Sequence, residues 1–149
     1  MNIKQQTSPA NLEKYAFLWS EARLAIAAIA LFIGGYPPIL KIVSYSLYGL
    51  ASSLLTVAWI ISGVASAYLL YRWYTGAKTL FGGKTQLDAA AFFVSVVSGI
   101  NLGLTGILGT NIGMTISSNY TVFILVGILY LASAAHLYKR WNTSGRKMF

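Results

Sequence analysis

Four long apolar runs divide this chain: about Ala22 to Leu40, Leu47 to Leu70, Ala89 to Leu108 and Tyr120 to Leu137. Each is close to the roughly 20 mostly apolar residues that a helix needs to cross a bilayer. Short polar segments separate them, so the four spans are expected to run up and down in sequence. Ser8 and Pro9 suit the start of the first helix, as N-cap and as a first helical residue whose missing N–H costs nothing. That helix is expected to stop at "GGYPP", Gly34 to Pro38, where two prolines follow two glycines. The second helix begins within a few residues and is long enough to project past the bilayer. Tyr68, Tyr71, Trp73 and Tyr74 near its end match an interfacial aromatic belt. Thr85, with Asp88 three residues on, reads as a capping box before the third helix. The uncharged stretch "GTNIGMTISSN", 109–119, reads as an ordinary surface loop leading to the fourth, with a partial dip back toward the membrane as the alternative.

One segment departs from a plain apolar pattern. "SGINLGLTGILGTNIGM", Ser98 to Met114, carries five glycines, two asparagines and three hydroxyl residues inside and just beyond the third run. On a 100° wheel Gly99, Gly103, Gly106, Gly109 and Gly113 fall within roughly a third of the circle. Helices in a bilayer associate through close contact that small residues permit, so these glycines read as a packing face for a neighbouring helix or a second copy of the chain. A thin helix beside a solute path is the alternative. Asn101 and Thr105, one turn apart, share a face with Ser98 close by. An amide in hydrocarbon must find partners, so this face meets either another helix or a passing solute. Asn111 and Thr115 are expected at the outer end, where solvation suffices, and Asn119 opens a short glycosylation-type sequon.

Composition and charge narrow the class. Hydrophobic residues make up 56% of the 149 and charged ones only 9%, against about a quarter charged in soluble domains. The absence of cysteine excludes thiolate metal sites and cysteine nucleophiles, and the single His136 cannot form a histidine cluster. Of the eleven basic residues, ten fall near the N-terminus (Lys4, Lys14, Arg23), in the central link (Arg72, Lys78, Lys84) or in the tail (Lys139, Arg140, Arg146, Lys147). Only Lys41 lies elsewhere. With four spans those three places share one face, which the positive-inside rule marks as cytoplasmic, and the net charge of +8 then serves topology and anionic lipid, not nucleic acid. The polar lead before the first run argues against a cleaved signal peptide. Glu21, Arg23 and Asp88 are read as interface charges at the cytoplasmic edge, with Arg23 stacked on Trp19, and Tyr130 and Trp59 as packing residues.

The two halves resemble each other. "ASAYLLYRWYTGAKTLF", 65–81, aligns with "ASAAHLYKRWNTSGRKMF", 132–149, at an offset of about 67 residues, and Glu21 falls opposite Asp88. Two tandem hairpins of the same orientation follow from this reading. The stretch Gly99-Ile100-Asn101-Leu102-Gly103-Leu104-Thr105-Gly106 with Phe123-Ile124-Leu125-Val126-Gly127 resembles a small bacterial two-helix membrane family of unknown function. Its pattern is G-x-N-W-G-L-x-G followed by Y-x-L-V-G, with Leu102 and Phe123 here as departures. That resemblance covers about 45 residues of the second half and implies architecture, not chemistry.

The expectation is therefore an all-α integral membrane protein with four transmembrane helices in two parallel two-helix repeats. Its parts are a lead at 1–21, the first repeat at 22–76, a link at 77–88, the second repeat at 89–138 and a basic cytoplasmic tail at 139–149. N- and C-termini are cytoplasmic in the cell membrane. The expected function is a homo-oligomeric channel or small transporter for an ion or small polar solute, with Asn101, Thr105 and Ser98 lining the path. A non-catalytic accessory subunit of a membrane complex is the alternative. No enzyme activity, cofactor, metal or nucleic-acid partner is expected; the partners are the bilayer and a second copy or another membrane protein.

Overall fold

The computed structural model describes residues 8–149, so Lys4 lies outside the described part. Its helices are α1 (Pro9–Phe32), α2 (Pro38–Ile42), α3 (Tyr48–Thr75), α4 (Gln86–Leu108), α5 (Ile112–Ile116) and α6 (Tyr120–Thr143). The four long ones, α3 counted with the 3-10 turn Tyr45–Leu47 before it, are long and apolar enough to cross a bilayer. The chain is an all-α, multi-pass membrane protein.

The ends of the helices follow from local chemistry. Ser8 and Pro9 open α1, although the Ser8 hydroxyl makes no cap hydrogen bond. Gly34 and Gly35 take φ of +89° and +82°, a region open to glycine at little cost, and the chain leaves the helix there. The first span thus ends at Phe32, not Leu40. This moves Glu21 and Arg23 from the edge of the span to its interior: Arg23 stands about 21 Å along α1 from Pro9 at 1.5 Å per residue. The freed carbonyls at that end find donors, with Lys41 Nζ on Ile33 O at 3.2 Å and the Tyr120 hydroxyl on Phe32 O at 2.9 Å. Thr85 caps α4, its hydroxyl accepting from Asp88 N at 3.3 Å, and Asn119 caps α6 by accepting from Thr121 N at 2.8 Å. The sequon asparagine is a helix cap.

The long helices form a ring in which α3 packs most extensively on α4, then α1 on α6, with α1 and α4 also touching across the ring. The neighbours within each hairpin, α1–α3 and α4–α6, are the looser pairs. At the end carrying both termini, Phe17, Phe92, Leu137 and Trp141 fill the centre, with Leu69, Leu80, Phe81 and Met148 packed around them. Phe17 and Trp141 lie 5.2 Å apart, ring to ring. Two expected surface segments belong to this core. The link buries Leu80 and Phe81, while α6 continues to Thr143 and the residues after it fold back so that Phe81 N donates to Met148 O at 2.8 Å. The tail is a lid on the bundle, because its apolar ends Met148 and Phe149 have aromatic partners to cover.

Candidate functional site

The seam between α3 and α4 sets the geometry of everything beside it. Gly103 faces Gly63 so closely that a Cβ on either would stand 2.6 Å from the other's Cα. One turn towards the loop end, a Cβ on Gly106 would meet Ile60 and the Thr56 carbonyl; one turn the other way, a Cβ on Gly99 would collide with Ser66. Three of the five expected packing glycines therefore do pack, and their partner is a helix of the same chain. Gly109 instead ends α4 at φ +72° with open space around it. Gly113 lies beyond the helix in α5, beside Asn111 and Asn101. The wheel misplaced both because α4 stops at Leu108, so its periodicity no longer applies.

The solute-lining candidates are engaged by protein. Thr105 Oγ1 donates back to Asn101 O at 2.8 Å. The Asn101 amide donates to Asn111 Oδ1 at 2.8 Å, and its oxygen accepts from Ile112 N and Gly113 N at 3.1 and 3.4 Å. Asn101 sits two turns inside the end of α4, so these bonds draw the connection inward over the bundle. The uncharged stretch expected as an ordinary loop is a folded cap, and Asn111 is one of its anchors, not a solvated end. The first connection meets it: a Cβ on Gly35 would stand 2.7 Å from the Met114 side chain and 3.1 Å from Phe123.

Between the cap and the aromatic core the four long helices line a partly open cavity of about 580 Å³, walled almost entirely by aliphatic and aromatic side chains. Trp19, Trp59, Ser62, Ser98, Asn101 and Tyr130 reach it, and so does Arg23. Trp59 and Tyr130, expected as packing residues, are cavity wall. Arg23 does not stack on Trp19. Its Nη1 donates to Ser98 Oγ at 2.9 Å, and its Nη2 donates to Ser95 O at 2.8 Å and Ser95 Oγ at 3.3 Å. Trp19 instead turns to α3, donating to Ser62 Oγ at 3.0 Å. Gly99 makes room for the guanidinium, since a Cβ there would approach Arg23 Nη2 to 3.1 Å. The side chain is only 7% exposed, yet its Nε has no partner. Glu21 is buried too, and neither of its oxygens has one. Neither residue is an interface anchor.

Asp88 is likewise buried, at 1% exposure, but fully engaged. Its Oδ1 lies 2.7 Å from His136 Nε2, and Arg140 reaches both oxygens, with Nε at 3.1 Å from each and Nη2 3.0 Å from Oδ2. This carboxylate does not complete the capping box with its own side chain; it clips α4 to α6 at the termini end. His136 and Arg140 went unrecognised as its partners, although they stand one turn apart on α6 at the level where α4 begins. Gly63, Ser62 and Ser95 were missed as well, and the small-residue run "SGVASA", 62–67, was the available signal for the first two. Among the described residues no group of three or more His, Cys, Asp or Glu side chains could hold a metal ion. Comparison with protein-family profiles, with curated sequences and with solved structures found no match.

Proposed function

We propose that the protein is a small membrane carrier, not an enzyme, which takes one small organic solute into the cavity among its long helices. The observation that carries this reading is that cavity, about 580 Å³, with a buried arginine at its wall. Small-molecule sites run from roughly 300 to 1,000 Å³, and an ionisable residue inside a membrane marks a solute or ion path by default. Both hairpins contribute walls. Reading them as tandem repeats, each with a short helix after its first span, fits repeat-built transporters, whose substrate sites lie between the copies. By the positive-inside rule the termini lie in the cytoplasm, so the cavity belongs to the outer half. The aromatic core beneath it favours a carrier that is closed at one end over a standing pore. The polar contact to solute shifts from Thr105, whose hydroxyl is spent on its own helix, to Arg23.

The alternative reading, an accessory subunit, has one observation of its own: Leu50, Leu54, Val57, Ile61 and Val64 form an exposed aliphatic stripe along α3, on which a partner helix could dock in place of lipid. Flux separates the two. Liposomes containing the protein and loaded with a panel of small charged and neutral aromatic solutes should release at least one of them roughly tenfold faster than empty liposomes. Ala27→Phe, which fills the cavity from α1, should abolish the difference. No acceleration for any member of the panel sinks the carrier and leaves the accessory subunit.

A further inference from the structure

We infer that the ligand of this cavity is an amphipathic monoanion, an organic molecule with one carboxylate-type head on an apolar body, and that Arg23 receives the head. The inference rests on reading the cavity as a solute site, and it follows from an account of charge that closes over the whole chain. There are only three acidic residues. Glu13 pairs with Arg72 at the termini end. Asp88 is taken by His136 and Arg140. Glu21 is two positions from Arg23 on the same helix and near enough for the two charges to interact, but its oxygens are bonded to nothing. No carboxylate of the protein is therefore hydrogen-bonded to Arg23.

What holds the guanidinium instead is neutral: two serine hydroxyls and one carbonyl. These use three of the five N–H donors that an arginine carries, and the Nε–H is left without an acceptor. A cation inside a bilayer is costly unless it is paired, and charge-assisted bonds to an anion are the strong ones. An anion in the cavity that Arg23 lines supplies the charge-assisted bond that its neutral partners do not. A single guanidinium sets a single negative charge. The rest of the ligand is set by the other walls, where the Trp19 and Trp59 side chains and the aliphatic faces of α1 and α6 offer contact to an apolar body and no further charge.

The test uses the full-length protein in phosphatidylcholine nanodiscs, with 11-bromoundecanoate and 11-bromoundecanol as probes, because bromine quenches tryptophan and two tryptophans line the cavity. The carboxylate is expected to quench at a concentration at least tenfold lower than the alcohol, which enters the bilayer itself at least as readily. Arg23→Gln should raise the carboxylate midpoint at least tenfold and leave the alcohol unchanged. Equal midpoints for the two probes on the wild-type protein overturn the inference, and that comparison needs no variant to fold. A retained carboxylate preference in a folded Arg23→Gln protein overturns it as well. Carboxylate-selective quenching without any flux in liposomes supports this ligand class while sinking the carrier; flux with no head-group preference in binding does the reverse.

Discussion

Asp88 and Glu21 are both buried, each on the first long helix of its hairpin, yet the chain treats them in opposite ways. Asp88 accepts from the histidine and arginine of α6, whereas Glu21 has no hydrogen-bond partner at all and its neighbour Arg23 is held by neutral groups. A charge whose bonds are complete within the fold serves the fold. A charge left incomplete costs stability, and the bundle bears that cost at Arg23, in the wall of the cavity. The difference separates a structural clip at the termini end from the proposed solute site.

The contrast can be broken most severely at Asp88. Asp88→Ala strands Arg140 and His136 without their carboxylate; breaking a buried pair costs about 3–5 kcal/mol, and the partial exposure of Arg140 puts the loss near the lower figure. Thermal unfolding in detergent should show it as a large fall in Tm. Gly99→Ala comes next, at about 1–3 kcal/mol for overpacking, because the added methyl meets both Ser66 and Arg23. If its Tm matches that of the wild type, the guanidinium is not confined as described. Asn101→Leu should cost about 1–2 kcal/mol through the amides of α5 that it leaves unpaired, and hydrogen exchange should quicken at residues 111–114 while α3 stays protected. The smallest effect is expected at Glu21→Gln, within about 1 kcal/mol in either direction, since no hydrogen bond is lost. A fall in Tm comparable with that of Asp88→Ala would erase the distinction between the two carboxylates.

Much of the architecture is legible in the sequence, because in a bilayer the length and composition of an apolar run nearly dictate a helix. Thr85 and the "GGYPP" stop mark boundaries through backbone chemistry that operates within a few residues. The errors have a common physical source. Hydropathy alone drew the first span to Leu40, carrying it past its own glycine stop, and so placed Glu21 and Arg23 at a membrane edge. The partners of Asn101, Asp88 and Arg23 lie 10 to 12, 48 to 52 and 72 to 75 positions away, and no local pattern reports which faces will meet. The glycine face was recognised, but the helix that fills it was not, because Gly63 stands alone among serines and alanines.

The Gly63–Gly103 contact joins a helix of the first hairpin to a helix of the second, with no side chain between the backbones over which one could slide. The tightest unit is then neither hairpin that the chain order suggests but α3 with α4, to which Arg23 and Trp19 tie α1 and Asp88 ties α6.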